Sequence, residues 1–272
     1  MSSSDYVLGQ SERAARRLAL QDRHFAVPSE ALLDALAIQP NDRVVELGCG
    51  PGGFTRRILN RLGANGVVVG VDSSASLLEQ AKDSLAQLGG TRFKPTLADV
   101  AKPGAWLDGA DVIAGRAVLH HVPMAEFLIG RLRATLRPGT RIGFLEPDFR
   151  RPLGCLALQE VNHPELAPLL RFARSINELY AAWRISPAVG ASLAPTMEDA
   201  GYTNVRHTWH PFATDESVLE NMSLIYDEVR DTFASLGIIT VAEIEEQRRL
   251  LSELPVGDLP AVWGLHQVTA VA

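Results

Sequence analysis

The chain has 272 residues, 46% of them hydrophobic, which is ample for one sizeable packed domain with insertions and too apolar for a disordered chain. A formal net charge of −6 argues against a nucleic-acid-binding surface, which carries a basic excess. Two cysteines, Cys49 and Cys155, cannot build a disulfide framework, no apolar run approaches a membrane span, and the opening MSSSDYVLGQ lacks the regions of a secretion signal, so a cytoplasmic setting is expected.

Residues 1–40 read as a helical segment ahead of the main domain. Ser11 is placed to cap a helix through SERAARRLALQDRHF, with Leu18, Leu20 and Phe25 as a partial apolar face. Arg13, Arg16 and Arg17 fit its solvated side better than a phosphate track. A second helix, Pro28 to Leu36, leads into the first strand at Val44 and Val45.

The stretch from Asp42 to Thr55, DRVVELGCGPGGFT, carries the strongest local signal. Gly48, Gly50, Gly52 and Gly53 let the backbone turn sharply and approach a ligand with no side chain in the way. The spacing Gly48-x-Gly50-x-x-Gly53 also fits a dinucleotide loop, so its neighbours must decide. Asp72, closing GVVVGVD, stands at about the spacing of an acid that binds a ribose diol, a group shared by NAD and S-adenosyl-L-methionine. Glu46 separates the two. A carboxylate two residues before the first glycine repels a pyrophosphate, whereas a cationic sulfonium arm gains from it. Asp99 in TLADV follows a further apolar run, where it or its neighbour Val100 can serve an adenine amine.

A helix from Phe54 to Leu62 follows the glycine loop, closes at Gly63 and turns its free N-terminal amides to the ligand. Ser74 caps a helix to Leu88 that Gly89-Gly90 stops. Apolar runs alternating with helical patterns read as parallel strands with crossover helices, an α/β doubly wound sheet with its ligand at the strand carboxyl ends. Asp111 to Gly115 is the fourth strand, Pro123 to Leu136 a helix, and Pro138-Gly139 launches the fifth strand, Arg141 to Leu145.

Beyond Phe149 a helix starting near Pro164, ELAPLLRFARSINELYAAW, is too long for a loop and reads as a cap over residues 149–190. Residues 191–272 complete the core: a helix at Ala191 to Ala200, a strand at Val205 to Pro211, and a final strand at Ala261 to Ala272. Between the strands lies a helical insertion at about 216–257, with Glu216 to Leu236 helical and a capping box at Thr240 and Glu243 opening a helix to Leu254.

ELGCGPG at Glu46 to Gly52, VVGVD at Val68 to Asp72, LADV at Leu97 to Val100, DVIAGRAVLHHVP at Asp111 to Pro123 and LRPGTRIGFLEPD at Leu136 to Asp148 together resemble the class I S-adenosyl-L-methionine-dependent methyltransferases. They stand in that family's order and spacing across roughly residues 40–150, and the opening segment resembles a bacterial small-molecule subgroup. The resemblance implies a Rossmann-like sheet of seven strands with the last antiparallel, helical cap insertions, a lid over residues 1–40 and a cofactor core over 41–148. It also implies S-adenosyl-L-methionine as cofactor, S-adenosyl-L-homocysteine as product, and a place in small-molecule or secondary metabolism. Cofactor contacts carry over onto Glu46, Gly48, Gly50, Gly52, Asp72, Ser73, Asp99, Val100, Gly115 and Arg116.

Methyl transfer from a sulfonium is an in-line displacement, so the protein supplies positioning and, for a hydroxyl acceptor, a proton acceptor. Enzymes that methylate base amines place an Asn or Asp-Pro-Pro-aromatic tetrad after the fourth strand; here Gly115-Arg116-Ala117-Val118 stands there. Cys155 lacks the proline-cysteine setting of cytosine methylation and reads as a small buried residue.

His120-His121 follow the fourth strand and Glu146 and Asp148 the fifth, so both pairs are expected to meet in the crevice. Neighbouring residues point about 100° apart on a helix, so one imidazole is expected to face the substrate and the other to pack. Adjacent His residues rarely share an ion, and no metal is required. His163, His207, His210 and His266 show no ligand spacing; Tyr6, Tyr180, Trp183, Tyr226 and Trp263 could line an aromatic pocket, but single aromatics at helical spacing are more often core.

The expected activity is O-methylation of a small molecule, with His120 taking the acceptor proton, His121 as the alternative and Glu146 orienting or charging the imidazole. The resemblance supports this, because some sugar and phenol O-methyltransferases use a His of this stretch with an acid after the fifth strand. N- or C-methylation by proximity, a cofactor-binding protein that transfers no methyl, and an NAD-dependent oxidoreductase are the alternatives. No nucleic-acid or membrane partner is expected, and a homodimer is left open.

Overall fold

A computed structural model describes residues 12–159 and 163–272. Strands β1 (Arg43–Leu47), β2 (Val67–Asp72), β3 (Phe93–Leu97), β4 (Val112–Arg116), β5 (Arg141–Pro147), β6 (Thr203–Phe212) and β7 (Trp263–Val271) form one seven-stranded sheet in the order β3-β2-β1-β4-β5-β7-β6. The first five pair in parallel, and β7 runs antiparallel to both β5 and β6. This is the expected doubly wound, Rossmann-like sheet. Strand order reverses between β1 and β4, and sheets of this kind bind ligands outside the strand carboxyl ends at that reversal.

The described α-helices are α1 (Glu12–His24), α2 (Ala26–Ala35), α3 (Gly53–Arg61), α4 (Ala75–Gly89), α5 (Ala125–Thr135), α6 (Arg150–Gln159), α7 (Ala167–Trp183), α8 (Val189–Asp199), α9 (Glu216–Glu228), α10 (Arg230–Ser235) and α11 (Val241–Ser252). On one face of the sheet, Leu32 and Leu33 of α2, Phe54 and Ile58 of α3 and Leu85 of α4 bury Val44, Val68 and Val112. On the other, Leu128 and Leu132 of α5 and Leu193 and Met197 of α8 bury Val45, Ile113 and Phe144. Because both faces are covered, β1, β2 and β4 read as continuous apolar runs rather than as an alternation.

The remaining helices pack a separate cap core around Leu169, Phe172, Ile176, Tyr226, Phe233 and Trp263. Phe172 meets Tyr226 and Trp263 edge to face, with ring centroids 5.2 and 5.8 Å away. Tyr226 and Trp263 are core as expected. Helix α6 was not foreseen, since Pro152 in its first turn disguises a helix that Pro can nevertheless begin. The stretch expected as one helix from Glu216 to Leu236 breaks at Val229, which leaves helical geometry at φ −103°, ψ 12°. The Ser74 cap and the Thr240–Glu243 capping box form as expected. The Ser11 cap and Tyr6 lie outside the described residues.

Helix α1 joins cap to core. Against α9 it places Arg17 Nε 2.9 Å from Glu228 Oε2, Arg16 2.5 Å from Glu220, and His24 Nε2 2.5 Å from Ser217 Oγ. Against the core, Asp22 meets Arg116 at 2.7 Å and Arg57 at 3.3 Å. Among the described residues, no helix is long and apolar enough to cross a membrane.

Candidate functional site

The glycine loop leaves β1 at the sheet reversal. Gly48, Gly50 and Gly52 take φ of +66°, +52° and +90°, a left-handed region that side chains disfavour. A Cβ on Gly48 would lie 2.5 Å from Val118 Cγ2, so that position has no room for a side chain, whereas one on Gly50 would meet nothing within 4 Å. The loop therefore opens to free space at its middle, as a cradle for a ligand must. Gly50 N–H donates to Asp72 Oδ2 at 2.9 Å, and Asp72 Oδ1 accepts Ser74 N–H at 2.9 Å. Asp72 thus ties the loop to the start of α4 while its carboxylate stays at the strand-end crevice.

Ser73 beside it is exposed. Asp99 Oδ1 accepts Ala101 N–H at 2.9 Å and its other oxygen pairs with Lys102 at 3.1 Å, with Val100 half-buried alongside. Glu46 is buried and accepts Thr55 Oγ1–H at 2.6 Å. Burial raises its pKa to about 8, opposed by the Thr55 hydrogen bond and the nearby Arg116 charge. Burial thus works against the ionised form of Glu46 that a cationic ligand would favour.

Gly115 and Arg116 end β4. A Cβ on Gly115 would lie 2.7 Å from the Phe144 ring and 2.9 Å from Val118, so its role in the fold is close packing. The Arg116 guanidinium lies over the rings of Phe54 at 5.2 Å and Phe25 at 5.9 Å, donates to Ser29 Oγ at 3.1 Å, and pairs with Asp22. No spacing in the sequence pointed to Asp22 or Ser29, because a salt partner 94 positions away leaves no local pattern.

Ala117, in the left-handed region at φ 53°, turns the chain out of β4 into a 3-10 turn at Leu119–His121. Glu146, wholly buried at the end of β5, holds that turn. Its Oε1 accepts the amides of Val118 and Leu119, each at 2.9 Å, and its Oε2 accepts the amide of His120 at 3.2 Å. His120 Nδ1 lies 3.0 Å from the same Oε2. Three backbone donors favour the carboxylate form, so Nδ1 carries the proton and Nε2 the lone pair. Burial nevertheless lifts Glu146 to about 7 and holds His120 neutral, lowered to about 3 with help from the Arg17 charge.

Of the two imidazoles, His120 is buried and His121 half-buried. In the tight turn their ring centroids lie 3.9 Å apart. His120 also faces Phe149 at 5.9 Å and Tyr180 at 6.3 Å, so cap aromatics roof the site. Tyr180 is part of the cap core, as expected, and Trp183 packs against that core with its ring 6.3 Å from Tyr180. A groove of about 370 Å³ opens beside the turn, lined by Leu119, Val122, Ile185, Ser186, Val189 and Ser192.

Asp148 does not join Glu146. It accepts the amides of Arg150 and Arg151 and lies 3.8 Å from His266 Nε2, while His266 Nδ1 meets His207 Nε2 at 2.7 Å. The antiparallel pairing of β6 with β7 assembles this second cluster, and chain spacing could not reveal it.

The Methyltransferase domain family model matches residues 45–142. Trans-aconitate 2-methyltransferase of Rhizobium leguminosarum is 30% identical over 80% of this chain and 77% of its own length. Aklanonic acid methyltransferase of a Streptomyces strain is 26% identical over 73% of this chain and 91% of its own. Among solved structures, a geranyl diphosphate methyltransferase in complex with its methyl donor superposes with a TM-score of 0.56 at 16% identity, covering 97% of this chain and 93% of that one.

Proposed function

The chain belongs to the class I S-adenosyl-L-methionine-dependent methyltransferases that act on small molecules, and on that footing we propose that it methylates an acidic hydroxyl oxygen of its acceptor, with His120 as the proton acceptor. The observation that carries this is the His120 Nδ1–Glu146 Oε2 contact of 3.0 Å under the Phe149 and Tyr180 rings. Glu146 fixes the tautomer, so the Nε2 lone pair is left for the acceptor.

When bound, the cofactor supplies an electrophilic methyl on a sulfonium. The residues fit it: the Gly48–Gly52 loop opens to free space at Gly50, Asp72 offers a carboxylate for the ribose, and Glu46 ionises beside a cation. Asp99 and Val100 suit the adenine end, with Ser73 and Gly115 at the neighbouring strand ends. Helix α1 acts as the lid that excludes water, because it spans cap and core at once.

Burial disfavours the charged imidazolium, so His120 serves a phenolic or enolic hydroxyl better than a less acidic alcohol. The names of two relatives, trans-aconitate and aklanonic acid methyltransferase, support an oxygen acceptor, and because a carboxylate is already ionised at neutral pH they do not bear on the His120 base. Incubation with labelled cofactor and a panel of phenols, enols, trans-aconitate and amines tests the proposal. Label on oxygen is expected, and label confined to nitrogen or carbon would overturn it.

A further inference from the structure

Helix α1 is fixed to the strand ends at Asp22, whose carboxylate pairs with Arg116 at 2.7 Å, and Arg116 closes β4 just ahead of the turn that carries His120. Arg17 lies about one and a half turns earlier in α1 and reaches towards α9 instead. Its Nε pairs with Glu228 Oε2 at 2.9 Å, both side chains almost wholly buried, and its Nη1 donates to Gln21 Oε1 at 3.4 Å. Among the described residues, the other polar atoms of this pair, Arg17 Nη2 and Glu228 Oε1, make no hydrogen bond. Burial lowers the pKa of both His120 and His121, and the Arg17 charge lowers them further, so the pair stands within electrostatic reach of the acceptor site. Burial raises the pKa of Glu228 although Arg17 opposes it, and a further donor at Oε1 would favour the carboxylate. Buried polar atoms without hydrogen bonds are rare and call for an explanation.

We propose that the Arg17–Glu228 pair recognises a second hydroxyl on the acceptor, which accepts from Arg17 Nη2 and donates to Glu228 Oε1 while the first hydroxyl faces His120. This rests on the reading of His120 above and narrows the acceptor to a dihydroxylated phenol or enol. A hydroxyl is donor and acceptor at once, so one group satisfies both remaining atoms. The charges of the pair cancel each other. A carboxylate here would be repelled by Glu228 and an ammonium by Arg17, and either would leave a net charge out of water. A hydrogen or an ether in place of the hydroxyl leaves at least one buried charged group short of a hydrogen bond, and that cost makes the pair a means of selection.

Transfer of label from S-adenosyl-L-methionine by the full chain to matched acceptors tests this. One series sets phenol against catechol, resorcinol and hydroquinone; the other sets the enol of a cyclic β-diketone against its hydroxylated reductone. In at least one series, kcat/KM for a dihydroxylated member is expected to exceed that of the monohydroxy member by about ten- to hundredfold. Arg17→Lys, which keeps the charge pair but has no Nη2, should bring that ratio to within about threefold of one. The apolar double variant, Arg17→Met with Glu228→Leu, should do the same. Loosening of the lid would lower both rates alike and leave the ratio unchanged. An unaltered ratio in both variants, or a parent enzyme that uses the monohydroxy members as well as the dihydroxylated ones, overturns the inference. Label on neither series overturns it together with the His120 reading.

Discussion

His120 Nδ1 lies 3.0 Å from Glu146 Oε2, and the carboxylate that fixes this imidazole also accepts the three successive amides that shape its turn. Glu146 is buried beside His120, and under the proposed function it acts by positioning that imidazole. In Glu146→Gln one acceptor oxygen becomes an NH2 that faces amide donors. The expected result is a loss of about 1–3 kcal/mol in stability, read from denaturant midpoints, together with a fall in kcat larger than any change in S-adenosyl-L-homocysteine affinity. Parental stability and turnover would remove Glu146 from this role.

Arg17 and Glu228 are 2% and 3% exposed and lie 2.9 Å apart across the α1–α9 seam. Removing one partner strands a buried charge. Arg17→Met or Glu228→Gln should each cost roughly 3–5 kcal/mol, while the double substitution to apolar residues is expected to recover most of that loss. A double-mutant cycle by chemical denaturation measures it, and amide exchange along α1 should rise in either single variant.

Glu46 gives a pH signature. Its folded pKa, about 8, lies above the ordinary 4.5, so its stabilising protonated form is fully present below pH 4.5 and is lost as pH rises through about 8. His120, lowered to about 3 from 6.5, has the opposite sign: its contribution is present above pH 6.5 and is lost as pH falls towards 3. Between pH 6.5 and 8 the carboxyls alone remain. Stability should fall there by up to about 1.4 kcal/mol per pH unit for each titrating carboxyl, and Glu46→Gln should flatten the slope. The cationic cofactor favours ionised Glu46, so calorimetry near neutral pH in buffers of different ionisation enthalpy should register proton release on binding. Proton uptake would contradict this.

Asp72 joins Gly50 to Ser74, so its loss reaches beyond one ligand contact. Asp72→Ala should weaken S-adenosyl-L-homocysteine by roughly 1.5–3 kcal/mol for each lost charge-assisted bond. Unchanged affinity in a titration would show that the ribose is held elsewhere.

The core of the fold was legible in the sequence because its signals are local. Val44 to Leu47, Val68 to Val71 and Ile142 to Leu145 are buried on both faces and spell apolar runs, and the left-handed turns at Gly48, Gly50 and Gly52 demand glycine. His120 and Glu146 could be placed together from the sequence because one follows β4 and the other lies at the end of β5, and adjacent parallel strands deliver their ends to one place. What stayed hidden depends on tertiary packing. Asp22 reaches Arg116, Arg17 reaches Glu228, and Tyr180 roofs His120 only once the cap has folded over the core. The 3-10 turn that carries His120 and His121 is held by Glu146, 26 residues downstream, a constraint with no local pattern.

The most direct test of the account is methyl transfer by His120→Gln. Glutamine keeps a polar side chain but supplies no basic nitrogen, and a general base typically contributes about 10²–10⁴-fold in rate. With labelled S-adenosyl-L-methionine and an acidic acceptor found in the panel, turnover should fall by that factor across pH 6–9 while S-adenosyl-L-homocysteine binds as tightly as to the parent protein. Near-parental turnover in His120→Gln over the same range would contradict the account.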